Sequence, residues 1–192
     1  MSFLITESRD ALLMETLPAW KITHFYGEPA RGCVYAYLRC YVRNGAIPFS
    51  VTVFDGAPRP MARIGFAVTL DDTAATYLFA SCAKGRDAAL WLYRAHETGE
   101  GADTPVRQLE MPALRQLSGS DEQGVYWGAE GVLPAETLRE IFGRVPRTGD
   151  LLPANVFLYD EAEPAFGAAC PVPPGCAAPT ASGFGALVVV PY

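Results

Sequence analysis

Polar and apolar residues alternate with a period of two along much of this chain, and the alternation restarts after most Gly- or Pro-bearing turns. In VYAYLRCYV (34–42), Val34, Ala36, Leu38, Cys40 and Val42 share one face, and Tyr35, Tyr37, Arg39 and Tyr41 share the other. That is the pattern of a half-buried β-strand. FSVTVF (49–54) alternates likewise and runs into the turn DGAPRP. In ARIGFAVTLDD (62–72), Ile64, Phe66, Val68 and Leu70 oppose Arg63, Gly65, Ala67 and Thr69. TYLFASC (76–82) and AALWLYR (88–94) are separated by AKGRD and read as a hairpin, with Gly85 free to take a positive φ. QGVYWGAEG (123–131) sets Val125, Trp127 and Ala129 against Tyr126, Gly128 and Glu130.

The period changes once. PAETLREIFG (134–143) spaces Leu138, Ile141 and Phe142 on one helical stripe, with Pro134 suited to the first turn, Glu136 to the positive end of the dipole and Gly143 to the stop. LPANVFLYDE (152–161) is again a strand, with Asn155 near its start, and FGALVVV (184–190) is the last. Between them runs a loop with Pro164, Pro171, Pro173, Pro174 and Pro179. VRQLEMPALRQL (106–117) is ambiguous, and Pro112 argues against a central strand there. The expected fold is all-β: one antiparallel β-sandwich domain, residues 1–192, of about nine to eleven strands with one short helix. Residues 1–30 have weak periodicity and could lie at its periphery, with Trp20, Phe25 and Tyr26 as core or edge aromatics.

The 192 residues suit one domain, and an apolar content of 50% can fill its core. The 18 Gly and 16 Pro fit many tight turns. A net charge of −6, with no basic run, argues against nucleic acid and against an anionic membrane surface as partners. No basic segment leads into an apolar one at the N-terminus and no long apolar run follows, so the expected location is cytoplasmic. Cys33, Cys40, Cys82, Cys170 and Cys176 are odd in number and contain no CxxC, which disfavours a disulfide framework or zinc site. Cys170 and Cys176 could pair under oxidising conditions, but free thiols are expected in the cytosol.

The order of the second half is more specific. The strand with Trp127, the helix closed by Gly143, the strand with Asn155, Phe157 and Tyr159, and the final strand with Phe184, Gly185 and Leu187 resemble the carbohydrate-binding-module family 9-like domains, in the DOMON-like β-sandwich group. The resemblance extends more faintly over 34–54 and 62–93. It implies the same fold and a non-catalytic sugar-binding domain with carbohydrate as partner. The chain departs from the family pattern where MARIGFAV and YLFASCAKG carry no carboxylate and where the Pro-rich loop has neither His nor Trp.

Sugar sites combine aromatic faces, which take C–H groups, with planar polar side chains that pair with hydroxyls. The candidate ligand-binding residues are therefore Trp91, Tyr93, Trp127, Arg63, Arg86 and Asn155. Trp127 shares its face with Val125 and Ala129, which favours core burial; Trp91 is the better platform. Arg63 reads first as a solvated arginine. Asn155 reads first as a strand-entry residue bonding nearby backbone, and the resemblance supplies the alternative of a ligand contact. Glu97, Glu100 and Asp103 could offer oxygens to a structural calcium ion, without EF-hand spacing. No other cofactor is implied, because haem would need axial ligands and His24 and His96 are the only histidines. No GxSxG, HExxH, P-loop or Rossmann fingerprint assigns a catalytic residue. The alternatives left open are a protein-interaction or structural sandwich, which a homo-oligomer closed on the Tyr35–Tyr37–Tyr41 face would favour, and an enzyme acting on a small sugar derivative.

Overall fold

The protein's structure, a computed structural model, describes residues 1–27, 34–86, 88–97, 101, 103–111 and 113–192. In chain order the strands are β1 (Ser2–Ser8), β2 (Trp20–Lys21), β3 (His24–Tyr26), β4 (Tyr35–Cys40), β5 (Val42–Arg43), β6 (Ile47–Phe54), β7 (Ala62–Val68) and β8 (Thr76–Ala83). They continue with β9 (Ala89–Arg94), β10 (Thr104–Leu109), β11 (Arg115–Asp121), β12 (Gly124–Leu133), β13 (Leu151–Asp160), β14 (Phe166–Ala168) and β15 (Gly185–Pro191). Helix α1 (Ala135–Phe142) links β12 to β13. Setting aside the segments of two or three residues, eleven strands remain among the described residues.

They form two sheets. The larger runs β10-β9-β8-β7-β13-β15-β1-β5, with β14 bridging β13 and β3; the five-stranded sheet runs β11-β12-β6-β4-β2. The alternation sorts side chains as expected. Leu38, Val51, Val53, Ile64, Phe66, Leu78, Trp127 and Ala129 are fully buried between the sheets, where Phe49 meets Phe66 at a centroid distance of 5.6 Å. Each of the Val, Leu, Ile and Phe side chains among them contributes roughly 1.5–3 kcal/mol by leaving water.

Several local signals act as their chemistry suggests. Gly143 adopts φ 71° and its N–H reaches the Arg139 carbonyl at 2.9 Å, closing α1. Gly85 takes φ 72° in the β8–β9 turn. The ambiguous stretch splits into two edge strands in different sheets, β10 and β11. The ladder between β10 and β9 shifts register between Pro105 and Arg107; Pro112 lies outside the described residues. Cys40, Cys82 and Cys170 are free thiols, and Cys33 lies outside the described residues. No helix among the described residues is long and apolar enough to cross a membrane.

The N-terminal segment differs from its sequence pattern. β1 is not peripheral: it lies between β15 and β5, parallel to both, and Ile5 belongs to the core. Leu4, by contrast, is 59% exposed. Burial along the strand does not alternate strictly: Ser2 and Leu4 are exposed, Phe3, Thr6 and Glu7 half-buried, and Ile5 and Ser8 buried, so no period of two shows. Trp20 and Ile22 are also core residues.

Candidate functional site

β13 changes neighbours midway. Its first half pairs with β15 (Leu151–Ala154) and its second half with β14 (Phe157–Tyr159), while β7 runs along its other edge. A fork of this kind leaves backbone groups without a ladder partner. Asn155 sits at the fork, with no exposed surface. Its Nδ2 donates to the Gly183 carbonyl at 2.8 Å and the Cys170 carbonyl at 3.3 Å. Its Oδ1 accepts from the backbone N–H of Val156 (2.8 Å), Ala169 (3.1 Å) and Cys170 (2.9 Å). An amide has two donors and one two-lone-pair acceptor, so no capacity is left for a ligand. Asn155 clamps the Pro-rich loop to the sheet and is corrected from the list of direct contacts. Trp127 is corrected too: it is fully buried between the sheets, so neither ring face can meet a sugar.

The other candidates lie on the outer face of the larger sheet. Gly65 makes room there, since an added Cβ would come within 2.3 Å of Phe79 Cζ. The Phe79 ring therefore lies across β7 and meets Tyr93 edge-on at 5.6 Å and Tyr159 at 6.3 Å. Tyr77 stacks on Tyr93 at 5.4 Å and takes Phe184 edge-on at 5.1 Å. Residues of the Pro-rich loop, including Val172, Ala181 and Phe184, pack over Tyr77, Phe79 and Phe157 and close that half of the face.

The half beyond Tyr159 stays open. A cleft of about 310 Å³ is lined there by Phe25, Tyr26, Tyr159 and Phe166, with Asp55, Arg59 and Asp160 as its charged groups. Tyr26 and Phe166 stack at 4.7 Å. Arg63 stands beside Tyr159 in the ladder, and its Nε donates to Glu161 Oε1 at 2.8 Å. Arg59 forms an ion pair with Glu163. Arg86 is exposed in the β8–β9 turn, with Nη2 3.5 Å from Met61 Sδ. The structure thus brings Arg63, Arg86, Tyr93 and Trp91 to one face. Trp91 is only half-exposed, cross-strand to Phe79 and Gln108, and it does not line the cleft: β9 is separated from β13 by β8 and β7.

The electrostatics keep the tyrosines neutral. Burial raises the Tyr159 phenol, with Tyr93 adding to the rise and Arg63 opposing it. Burial likewise raises Tyr93, against the nearby Arg63 and with help from Glu161 and Asp103. Burial first, and the Asp103 carboxylate second, raise Tyr77, whose hydroxyl has no geometrically formed hydrogen bond. Neutral phenols can both donate to and accept from sugar hydroxyls.

Of the acidic residues that could offer oxygens to calcium, Glu97 and Asp103 lie among the described residues. Asp103 is buried, and its two oxygens accept the backbone N–H of His96 (2.9 Å) and Ala181 (2.6 Å), tying the polar loop to the Pro-rich loop. Glu97 is exposed and Glu100 lies outside the described residues. Among the described residues no group of three or more metal-ligating side chains assembles.

Sequence reasoning missed Tyr26, Phe166, Arg59, Asp160 and Glu161 as site residues. Phe166 lies in a three-residue strand inside the Pro-rich stretch, where no periodicity can show. Tyr159 was visible within the resemblance motif, yet its strand register, which sets it beside Arg63, was not.

The fold is an all-β sandwich of two packed sheets. The chain superposes on a Bacteroides uniformis protein described provisionally as carbohydrate-binding (TM-score 0.68, 12% identity, 98% of each chain). It also superposes on a carbohydrate-binding module of family 9 from Caldicellulosiruptor kristjanssonii in complex with cellotriose (TM-score 0.57, 10% identity, all of this chain and 95% of that one). The glucose complex of a family 9 module from that organism gives a TM-score of 0.56 at 10% identity, over all of this chain and 97% of that one. At such identities the likeness establishes the fold. No protein-family model matches the sequence, and no curated protein matches it.

Proposed function

We propose that the chain is a non-catalytic carbohydrate-binding domain and that the sugar enters the cleft beside Tyr26, Tyr159 and Phe166. The carrying observation is the cleft's make-up: an aromatic wall with Arg59 and Asp160 in its lining; Arg63, held by Glu161, stands outside the lining, beside Tyr159 in the ladder. Sugar C–H groups stack on the rings, while Arg63, Arg59 and Asp160 pair with hydroxyls. Tyr93, Trp91 and Arg86 extend the same face for further sugar units. The two family 9 neighbours were solved with cellotriose and with glucose, which makes these the first probes.

Calorimetric titration with glucose and cellotriose tests the reading, supported by thermal shifts, since a ligand that binds the native state raises the melting temperature by mass action. Arg63→Gln is expected to weaken binding about tenfold, or about 1.4 kcal/mol. Unchanged affinity removes Arg63 from the site. Absence of binding to any sugar of a broad panel at about 10 mM, where even a Kd near 1 mM would register, removes the sugar reading altogether. A protein-interaction role is then favoured by a specific observation: the loop closes half of the face with its own apolar side chains.

A further inference from the structure

The opposite side of the sandwich carries a second aromatic patch. On the outer face of the five-stranded sheet, Tyr35, Phe54 and Tyr126 lie in one cross-strand row. Phe54 is 5.9 Å from Tyr35, 6.3 Å from Tyr37 and 5.7 Å from Tyr126 between centroids. Tyr35, Phe54 and Tyr126 are partly exposed, and none belongs to either buried core cluster. The next rows hold Tyr37, Thr52 and Gly128, then Arg39, Ser50 and Glu130. Small residues therefore floor the middle of the face, with rings along one side.

Charge on this face is uneven. Glu130 is held by Arg115. Lys21 and Arg39 have no carboxylate within ion-pair distance among the described residues; they lie over rings instead. Lys21 Nζ is 5.3 Å from the Tyr35 centroid, and Arg39 Cζ is 4.8 Å from that of Tyr37. The buried Nε of Arg39 has no hydrogen-bond partner. A guanidinium held on a ring keeps its remaining donors in the fork geometry that receives a carboxylate bidentately. Two uncompensated cations next to exposed rings, on a chain of net charge −6, form a local attractor for an anion that also has an apolar face.

We propose that this face is a second binding surface, independent of the cleft, for a glycan containing sugar acids. The pyranose C–H face packs on Tyr35, Phe54 and Tyr126, and the carboxylate meets Arg39 and Lys21. A neutral sugar can accept hydrogen bonds from the two cations but brings no negative charge to balance them, which is why the acidic class is chosen.

The test is an NMR titration of the full chain with trigalacturonate, its methyl ester and cellotriose. Trigalacturonate is expected to shift backbone amides of β4, β6 and β12, the methyl ester to bind at least tenfold more weakly, and added salt to weaken the acid alone. Arg39→Gln should cost at least tenfold, and Lys21→Gln, at an exposed position, supplies the same test should Arg39→Gln fail to fold. Equal affinity for acid and ester overturns the proposal. So does unchanged affinity in the folded variants, or an absence of shifts on this face at about 10 mM ligand, a concentration that would reveal a Kd near 1 mM. A self-associated dimer that buries the face and is not displaced by the trisaccharide also overturns it. Cellotriose shifts confined to β3, β13 and β14 report the cleft separately, so failure of one surface is distinguishable from failure of the other.

Discussion

Replacing Asn155 with Ala separates a structural asparagine from a ligand contact. The substitution removes every hydrogen bond of the fork clamp. Ala169 N–H retains a bond to the Val156 carbonyl at 3.1 Å, so it is not orphaned. The Cys170 N–H and the Gly183 carbonyl, which the amide meets at 2.9 and 2.8 Å, lose their side-chain partner in a region with no exposed surface at Asn155. A buried polar group left unsatisfied costs about 1–3 kcal/mol. Two of them, with the small cavity left by the amide, place the expected loss at about 3–5 kcal/mol. Total stability of a domain is about 5–15 kcal/mol, so the variant should fold but lose a large share of its margin. For a chain of this size, about 2–4 °C per kcal/mol converts to a melting-point drop of roughly 10 °C. Urea titration followed by tryptophan fluorescence measures it, with the slope checked for two-state behaviour. Asn155→Asp should be at least as damaging, because a carboxylate would face the Gly183 and Cys170 carbonyls where the amide donated. A loss below about 1 kcal/mol, the worth of a single ordinary hydrogen bond, would refute the clamp. So would unchanged stability combined with loss of sugar binding.

Gly65→Ala should cost about 1–3 kcal/mol by overpacking, because the new methyl would meet the Phe79 ring and Ser81 Cβ at 2.9 Å or less; wild-type stability in urea would mean the ring swings away freely. Burial pushes the Cys40 and Cys82 thiols up from 9.0 to about 12. The thiolate is the reactive form, so at pH 8 both should resist a disulfide reagent in the native protein and react once urea unfolds it. Because both folded-state values lie above the unfolded one, the stability they confer is complete below pH 9.0 and is lost as pH rises toward about 12; a flat denaturation midpoint across that window would contradict the burial. Shortening Asp103→Ala should detach the His96 and Ala181 amides, lower stability by about 3 kcal/mol or more at about 1.5–3 kcal/mol for each charge-assisted bond, and leave urea slopes unchanged.

The sequence by itself determined the sandwich. Alternation in β4, β6, β7 and β12 sorts the residues of each strand onto two faces without reference to any partner strand, because the pleat has a period of two, although both faces of β6 and β7 are largely buried. Pro134 and Gly143 bounded α1 for equally local reasons. The resemblance read from Trp127, Asn155, Phe157 and Tyr159 also pointed to the fold shared with the family 9 modules. What needed the tertiary structure was everything set by register between distant strands. The row that places Arg63 beside Tyr159, the parallel insertion of β1 between β15 and β5, and the stacking of Tyr26 on Phe166 all join residues far apart in the chain. The same holds for Asn155. Its identity was plain in the sequence, but its role depended on a fork between β14 and β15 that leaves carbonyls and amides needing a partner. Alternation tells which way a side chain points from its own strand; only the packed sheets decide what lies there to meet it.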